Sequence, residues 1–216
     1  MRLIALPGVY APQDDTALLA GALKRETLPS DAQVLDVGTG TGALAVAAAL
    51  RGADVTAVDI SRTAVWTARL NARLARRRIR VLRGDLTTPV AGRTFDLIVS
   101  NPPYVPGPLD APRRGPARAW EAGQDGRLIL DRICQDVPRL LRAGGVLLLV
   151  HSALSGEAPT LAGLRAAGLR AETLGRAAVR FGPVLRARRS WMCRQGLVRP
   201  SDDSEELVVI RAERTR

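Results

Sequence analysis

Short apolar runs alternate with longer amphipathic segments along most of the chain, and this alternation predicts the secondary structure. Strands are predicted at the apolar runs, near residues 33–37, 54–59, 79–84, 95–100, 145–151, 169–175 and 206–211. Helices are predicted at the longer segments, near residues 14–25, 42–51, 61–74, 126–142 and 157–167. Because strand and helix alternate, the pattern predicts an α/β fold with a mostly parallel, seven-stranded sheet and helices on both faces.

Local signals define several element ends. Ser61 is a good N-cap for the helix that follows it, and Asp14 or Asp15 can cap the first helix. Gly144 and Gly145 end the helix near 126–142 and start the strand that comes next. These residues fix the expected boundaries more sharply than the apolar pattern does.

Length and composition suit one globular domain, since the chain has 216 residues of which 46% are hydrophobic. There is no internal repeat and no linker, so residues 1–216 are expected to form a single domain. Residues 177–203 mix Arg, Pro and Gly and show no clear period, so the sequence assigns them no structure.

Several classes of protein are disfavoured by composition. No apolar run approaches the roughly 18 residues of a membrane span, and the start of the chain is too short for a signal peptide. Cys134 and Cys193 give no disulfide framework, and a sole histidine, His151, cannot anchor a His-rich metal site. We expect no metal, no membrane association and a reducing cytoplasm.

The formal net charge of +11 has two possible explanations. Lys24 is the only lysine, so nearly all of the positive charge comes from arginine. One reading is coding bias that places arginine on a solvated surface. The other is a polyanionic partner such as RNA, the ribosome or an RNA-bound protein. The densest basic patch, residues 76–78, lies in a predicted loop, and aromatic residues make up 3% of the chain. Scarce aromatics argue against a single-strand binding platform.

A glycine-rich loop follows the first predicted strand. The strand carries Asp36, and Gly38 and Gly40 belong to the loop that leads into a helix. Glycines let the backbone turn tightly and approach a ligand closely. Two further acids, Asp59 and Asp85, end the second and third predicted strands. A carboxylate at the position of Asp59 can accept both hydroxyls of a ribose.

The motif Asn101-Pro102-Pro103-Tyr104 follows the buried strand near 95–100. Ligands of open α/β sheets bind at this end of the strands. The side-chain oxygen of Asn101 and the carbonyl of Pro102 form two neighbouring acceptors, which match the two donors of a planar NH2 group. Tyr104 adds a flat face for stacking. The motif therefore predicts a site for an amide or exocyclic amine whose nitrogen attacks an electrophile.

The glycine loop alone also satisfies the dinucleotide fingerprint, with Asp59 at a suitable distance for a ribose. Two features favour a methyl donor instead. Asp36 stands where a pyrophosphate would be repelled but a cationic sulfonium and amino group would be tolerated. The motif at Asn101 has no role in hydride transfer.

The order of a glycine loop, two acids and Asn-Pro-Pro-Tyr resembles the class I methyltransferases that use S-adenosylmethionine. Residues 9–19, 120–127 and 141–145 are similar to the HemK/PrmC family of protein glutamine N5-methyltransferases, over roughly residues 9–170 in all. The resemblance is to the short branch without the N-terminal helical domain. It implies methylation of the glutamine in the Gly-Gly-Gln loop of a translation release factor.

The resemblance also implies roles for individual residues. The residues implied to bind S-adenosyl-L-methionine are Thr16, Asp36, Gly38, Gly40, Asp59, Asp85, Leu86 and Asn101. Asn101, Pro102 and Tyr104 are implied to be catalytic, and together with Pro103 to bind the substrate. Structural alternatives stay open, since Thr16 can be a helix cap and Asp85 a turn residue. Glu121 and Asp125 can contact the substrate loop or serve as turn and cap residues.

The chain departs from the family in two places. Ala11 stands where the short branch has an acid, and residues 177–203 have no match in it, which puts the substrate face in question. The resemblance implies a small zinc-containing activator subunit beside the third strand.

Two other functions stay open: methylation of an exocyclic amine of adenine or guanine in DNA or RNA, and methylation of a small molecule.

Overall fold

The structure is a computed structural model that describes residues 3–108, 117 and 119–215. In these residues seven strands form one sheet in the order β3-β2-β1-β4-β5-β7-β6. The strands are Gln33–Val37 (β1), Asp54–Asp59 (β2), Ile79–Arg83 (β3), Phe95–Ser100 (β4), Leu141–Ser152 (β5), Leu169–Arg180 (β6) and Ser204–Arg214 (β7). Neighbours among β1 to β5 are parallel, whereas β7 is antiparallel to β5 and β6. The predicted mostly parallel, seven-stranded sheet is confirmed.

Helices cover both faces of this sheet. They are Asp14–Arg25 (α1), Ala43–Ala49 (α2), Arg62–Leu74 (α3), Leu128–Asp136 (α4), Glu157–Ala166 (α5) and Pro183–Arg194 (α6). Successive strand residues point to opposite faces, so Leu97 packs with α1, α2 and α3 while Ile98 packs with α4 and α5. None of the described helices is long and apolar enough to cross a membrane.

The start of β5 differs from the prediction. The helix predicted to reach residue 142 ends at Asp136 and continues as a 3-10 turn to residue 140, after which the chain joins the sheet. Leu141 pairs with Phe95, and the next paired residues are Val146 and Leu97, so residues 142–145 bulge out of the strand. A Cβ at Gly145 would lie 3.0 Å from the carbonyl oxygen of Phe95, which explains the glycine. Here Gly145 permits a bulge rather than ending a helix.

Residues 177–203 contain regular structure that the sequence did not predict. Strand β6 continues to Arg180, and α6 follows it from Pro183 to Arg194. Leu185 and Met192 of α6 are buried in a small core of their own, separate from the two cores on the faces of the sheet. The apolar positions of α6 are few and separated by arginines, which hid its helical period.

Of the two predicted helix caps, one is confirmed and one is wrong. Ser61 caps α3 as predicted, since its hydroxyl accepts a hydrogen bond from the Ala64 amide at 3.3 Å. The predicted cap of α1 was wrong, because the N-cap residue is Gln13 and its side chain makes no capping bond. His151 lies fully buried in β5, with Nδ1 2.8 Å from the Ser152 carbonyl oxygen. Burial lowers the pKa of this imidazole.

Candidate active site

The carboxyl ends of β1, β2 and β4 lie side by side. Val37 pairs with both Val58 and Ser100, so the residues that follow these three come to the same edge of the sheet. This is the edge at which open α/β sheets bind ligands. A cavity of about 650 Å³ opens there, and every predicted site residue except Asp36 lines it.

The loop after β1 is shaped by glycines with positive φ. Gly42, with φ of 81°, precedes α2 directly, and a Cβ on it would lie 3.1 Å from the Cβ of Ala68 in α3. Glycine is therefore needed for both the turn and the close approach of the two helices. At Gly38, which has φ of 70°, a Cβ would meet no atom within 4 Å, so the loop faces open cavity.

Asp36 lies beneath this loop and is 1% exposed. Its Oδ2 accepts hydrogen bonds from the Thr39 hydroxyl at 2.5 Å and the Ala45 amide at 3.0 Å. Its Oδ1 has no partner among the described residues. Burial raises the pKa of Asp36 to about 7, and the nearby charge of Asp59 adds to the increase. A buried carboxylate oxygen without a partner is costly, and a cationic ligand bound above the loop would offset part of that cost through its charge.

Asp59 joins the glycine loop to the start of α3. Its two carboxylate oxygens accept hydrogen bonds from the Gly40 amide at 2.9 Å and the Ser61 amide at 2.8 Å. Burial raises the pKa of Asp59, while these amide donors act against the increase. An ionised carboxylate has about four lone-pair positions, so this group can also accept hydroxyls from the cavity.

The third strand brings Asp85 and Leu86 to the same cavity. Asp85 accepts hydrogen bonds from the guanidinium of Arg132 at 2.7 and 3.3 Å, so it does more than form a turn. Leu86 has φ of 46°, in the left-handed region that a non-glycine residue seldom adopts. Together with Ile129 of α4, Leu86 gives this part of the cavity an apolar wall.

Asn101 is oriented by residues of α1. Its Nδ2 donates to the Thr16 hydroxyl oxygen at 3.2 Å. The Thr16 hydroxyl donates in turn to Oδ1 of Asp15 at 3.1 Å, so its proton is committed and its lone pair faces Asn101. This chain of donors fixes the amide of Asn101 with Oδ1 left to accept from a ligand. Thr16 is therefore no helix cap.

Asp15 also holds the tyrosine of the Asn-Pro-Pro-Tyr motif. The chain has two tyrosines, and the hydroxyls of Tyr10 and Tyr104 both donate to Oδ2 of Asp15, at 2.9 and 3.0 Å. Burial, followed by the charge of Asp15, raises the pKa of both phenols, which stay protonated donors. Glu205 lies near this group, and burial raises its pKa to about 7. Tyr104 is thus held by its hydroxyl while its ring lines the cavity.

The two acids after the motif have structural contacts. Glu121, which lines the cavity, forms a buried ion pair with Arg188 of α6. Asp125 accepts a hydrogen bond from the Arg127 amide at 3.0 Å, as a turn residue does. Asp125 therefore has the contact of a turn residue, whereas Glu121 is held by its ion pair with Arg188 rather than by a turn or cap contact.

Sequence reasoning missed three residues that shape the site: Asp15, Arg132 and Arg188. Asp15 was considered as a cap only, because nothing local in the sequence shows that two tyrosines converge on it. A signal was available in Tyr10, since a buried phenol in a chain with few aromatics needs an acceptor. Nothing in the sequence distinguishes Arg132 and Arg188 from the many other arginines of the chain.

The fold and the site together define a class I methyltransferase that uses S-adenosyl-L-methionine. The cavity fits this cofactor on two observations: the buried carboxyl of Asp36, whose Oδ1 has no partner among the described residues, lies next to the glycine loop and attracts a cationic group, and the loop at Gly38 leaves room for close approach. The profile of the family described as Methyltransferase small domain matches residues 1–112.

Two similar proteins identify the family within the class I methyltransferases. A Methanocaldococcus jannaschii protein, provisionally named a protein N5-glutamine methyltransferase, is 38% identical over 183 residues, which are 84% of this chain and 91% of the relative. The release factor glutamine methyltransferase of Deinococcus radiodurans is 40% identical over 181 residues, which are 80% of this chain and 64% of that protein. This chain belongs to the HemK/PrmC family of protein glutamine N5-methyltransferases, as the sequence motifs predicted.

A solved structure agrees with this assignment. The complex of E. cuniculi Mtq2 with Trm112 is described as responsible for methylation of the translation termination factor eRF1. The match to it has a TM-score of 0.68 and 25% identity, and covers 96% of this chain and 99% of the other. The short form of the fold is therefore shared over almost the whole chain.

Proposed function

We propose that this enzyme methylates the side-chain amide of a glutamine, in the Gly-Gly-Gln loop of a translation release factor. The observation that carries the proposal is the fixed amide of Asn101, whose Nδ2 is held by Thr16 and whose Oδ1 is left to accept from an incoming NH2 group. Such an enzyme would work in the cytoplasm, where translation takes place, with residues 1–216 as one catalytic domain.

The chemistry follows from how the substrate amide is held. An amide nitrogen is a weak nucleophile because its lone pair is delocalised. Asn101 Oδ1 and the Pro102 carbonyl would accept its two N–H bonds, and the ring of Tyr104 would support its plane. Each hydrogen bond contributes about 0.5–1.5 kcal/mol net, whereas alignment of the reacting atoms can contribute about 7–11 kcal/mol.

The cofactor would be held by the residues around the glycine loop. These are Thr16, Asp36, Gly38, Gly40, Asp59, Asp85, Leu86 and Asn101. S-adenosyl-L-methionine, when bound, supplies a methyl group on a cationic sulfonium. The substrate proton becomes acidic only as the new C–N bond forms, and it then leaves to water, so no histidine or paired base is required.

Cofactor affinity should depend on pH through Asp36. Its pKa is raised to about 7 by burial, and only the ionised carboxylate attracts a cationic ligand. We expect affinity to increase about tenfold between about pH 6 and pH 8 and then to level off, since one pKa unit corresponds to about 1.4 kcal/mol. Titration calorimetry in two buffers of different ionisation enthalpy should show proton release on binding near neutral pH. The variant Asp36→Asn should bind weakly with a flat pH profile, and an unchanged profile in the variant would contradict this role.

The substrate is tested by mass spectrometry. A release factor from the same organism is incubated with enzyme and S-adenosylmethionine, and the peptide that contains the Gly-Gly-Gln sequence is analysed. The expected result is one added methyl group on that glutamine. Glycines flanking the glutamine let its backbone approach Pro103 without side-chain clash, so the loop can enter the cavity.

A second experiment tests the alternative substrates. The net charge of +11 favours a nucleic acid as the second candidate, with methylation of an exocyclic amine of adenine or guanine. Labelled cofactor is supplied with cell extract, and the product is treated with protease or nuclease. Label that nuclease removes, or that stays on a small molecule, together with an unmodified glutamine, would overturn the proposal.

We also propose that a small zinc-containing activator subunit binds beside β3. This strand lies at the edge of the sheet, and α3 next to it exposes an apolar stripe of Trp66 (66% exposed), Leu70 (37%) and Leu74 (53%). Residues at this spacing share one helix face, and an open strand edge invites pairing. With a purified activator, light scattering should show a complex that Trp66→Ser with Leu70→Ser abolishes. The control Leu50→Ser removes an equally exposed leucine elsewhere and should leave it intact; equal loss in both would refute the location.

A further inference from the structure

Helix α6 is firmly attached to the wall of the active site. Arg188 forms a buried ion pair with Glu121 and donates to the carbonyl of Pro106 at 2.9 Å. Leu185 and Met192, from the same side of the helix, pack in a small core that reaches Val105. The chain segment directly after Asn-Pro-Pro-Tyr therefore rests on α6, which places this helix beside the substrate side of the cavity.

The outer side of α6 is basic. Arg186 and Arg194 are both exposed; at 3.6 residues per turn Arg194 lies opposite Leu185 and Met192, and Arg186 lies on the flank of that side. Residues 180–203 contain six arginines and two aspartates. The aspartate carboxylates lie 3.8 Å from the guanidinium groups of the exposed Arg180 and Arg199, and Asp202 also accepts a hydrogen bond from the Arg199 amide at 2.8 Å. We refer to Arg180, Arg186, Arg194 and Arg199 as the α6 arginine face.

The α6 arginine face differs from those arginines of the molecule that are neutralised by carboxylates of the same chain. Many arginines elsewhere form close ion pairs with carboxylates of the same chain, at 2.6–2.9 Å for Arg127, Arg132, Arg142, Arg170 and Arg176. No carboxylate of the described residues lies within 4 Å of Arg186 or Arg194. Their charge is thus not neutralised locally by described residues, and it acts on whatever approaches the cavity from this side.

The chemistry of the face favours an acidic protein over a nucleic acid. Stacking on exposed aromatic side chains is the usual support for single-stranded bases. The one aromatic residue of α6, Trp191, is half-buried against the small core. The face therefore offers charge without a stacking surface.

We propose that the α6 arginine face binds an acidic surface of the folded protein substrate, outside the loop that carries the reacting glutamine. This inference rests on the proposed function and names the contact by which a folded factor is recognised. Binding energy from such a remote contact positions the reacting group in the cavity.

The test compares a charge reversal on α6 with a matched reversal elsewhere. The α6 variant is Arg186→Glu with Arg194→Glu. The control is Lys24→Glu with Arg25→Glu, two exposed residues at the far end of α1, with the same change in net charge. Each is assayed on the folded release factor, on the isolated glutamine peptide and on RNA from cell extract, with cofactor affinity as the check of folding.

We expect the α6 variant to lose about tenfold or more in kcat/KM on the folded factor at low salt, because interfacial charges control association. The loss should shrink as salt is raised. Activity on the peptide, cofactor affinity and the control variant should stay close to wild type. Arg186→Lys with Arg194→Lys keeps both charges and should retain most activity.

Each other outcome overturns the proposal. Equal losses in the control would show a general charge effect, and equal losses on the peptide would show a structural role for the helix. A reversal that impairs only methylation of RNA would assign the face to nucleic acid. Wild-type enzyme that methylates neither factor nor peptide refutes the proposed function and this inference with it, whereas normal activity of the α6 variant on the factor refutes this inference alone.

Discussion

Replacing Asn101 with alanine is expected to lower kcat by about 10²–10³-fold or more, the range seen when one transition-state hydrogen-bonding group is removed. The variant should keep most of its cofactor affinity, because Asp36 and Asp59 are unaffected. Such a loss of kcat without loss of ground-state binding indicates contacts made in the transition state. Single-turnover kinetics and calorimetry measure the two quantities separately.

The second asparagine of the chain provides a control. Asn71 holds the segment at Ile4 and the carbonyl of Thr41 with three hydrogen bonds of 2.8–2.9 Å, and it is fully buried. We expect Asn71→Ala to lower the free energy of unfolding by about 1–3 kcal/mol for each group left unsatisfied, with turnover per folded molecule largely kept. Near-native turnover in Asn101→Ala would refute the amide-holding mechanism.

The variant Asp15→Asn should lose both stability and turnover. Its carboxylate accepts four hydrogen bonds, from the hydroxyls of Tyr10, Tyr104 and Thr16 and from the Thr16 amide. An asparagine has one oxygen, so at least one buried donor loses its acceptor at about 1–3 kcal/mol each. The orientation of Asn101 is then released as well. Urea unfolding and kcat, measured where the variant is folded, give the two effects.

Neighbouring variants separate orientation from folding. Asp14→Asn changes an exposed acid in the same helical turn and should shift stability by less than about 0.5 kcal/mol. Thr16→Ser keeps the hydroxyl that accepts from Asn101 and should keep most turnover. Thr16→Val removes it and should lower kcat more than it lowers stability. If Thr16→Val were as active as Thr16→Ser, the chain from Asp15 to Asn101 would play no part in turnover.

The sheet was largely predictable from sequence because its central strands are short apolar runs with charged or glycine borders. The bounds of β1, β2 and β4 agree with the prediction residue for residue. The bulge at 142–145 was not predictable, since its two glycines look like a helix end when the partner strand is unknown. Helix α6 was missed because only a few of its residues are apolar.

Site residues at the ends of strands were predictable from sequence. Site residues whose role depends on contacts with residues far away in the sequence were not. Asp59 ends a strand, and Asn101 and the glycine loop directly follow strands, so topology alone brings them together. Asp15 and Arg188 act through contacts across 89 and 67 residues of sequence. Their importance depends on packing that no local pattern reports.

The position of β7 between β5 and β6 has a consequence for biosynthesis. In the part of the chain that the structure describes, strand β6 is joined to the sheet only through β7, yet 23 residues separate these two strands in the chain. At about 5–20 residues per second, a ribosome needs about 1–5 s to add them. During that interval the edge of β5 that β7 will cover is open and β6 is unpaired on both edges, and such edges are sites of unwanted pairing. The sheet can close only after α6 has been made, so the helix beside the substrate cavity and the far half of the sheet are completed in one late step of folding.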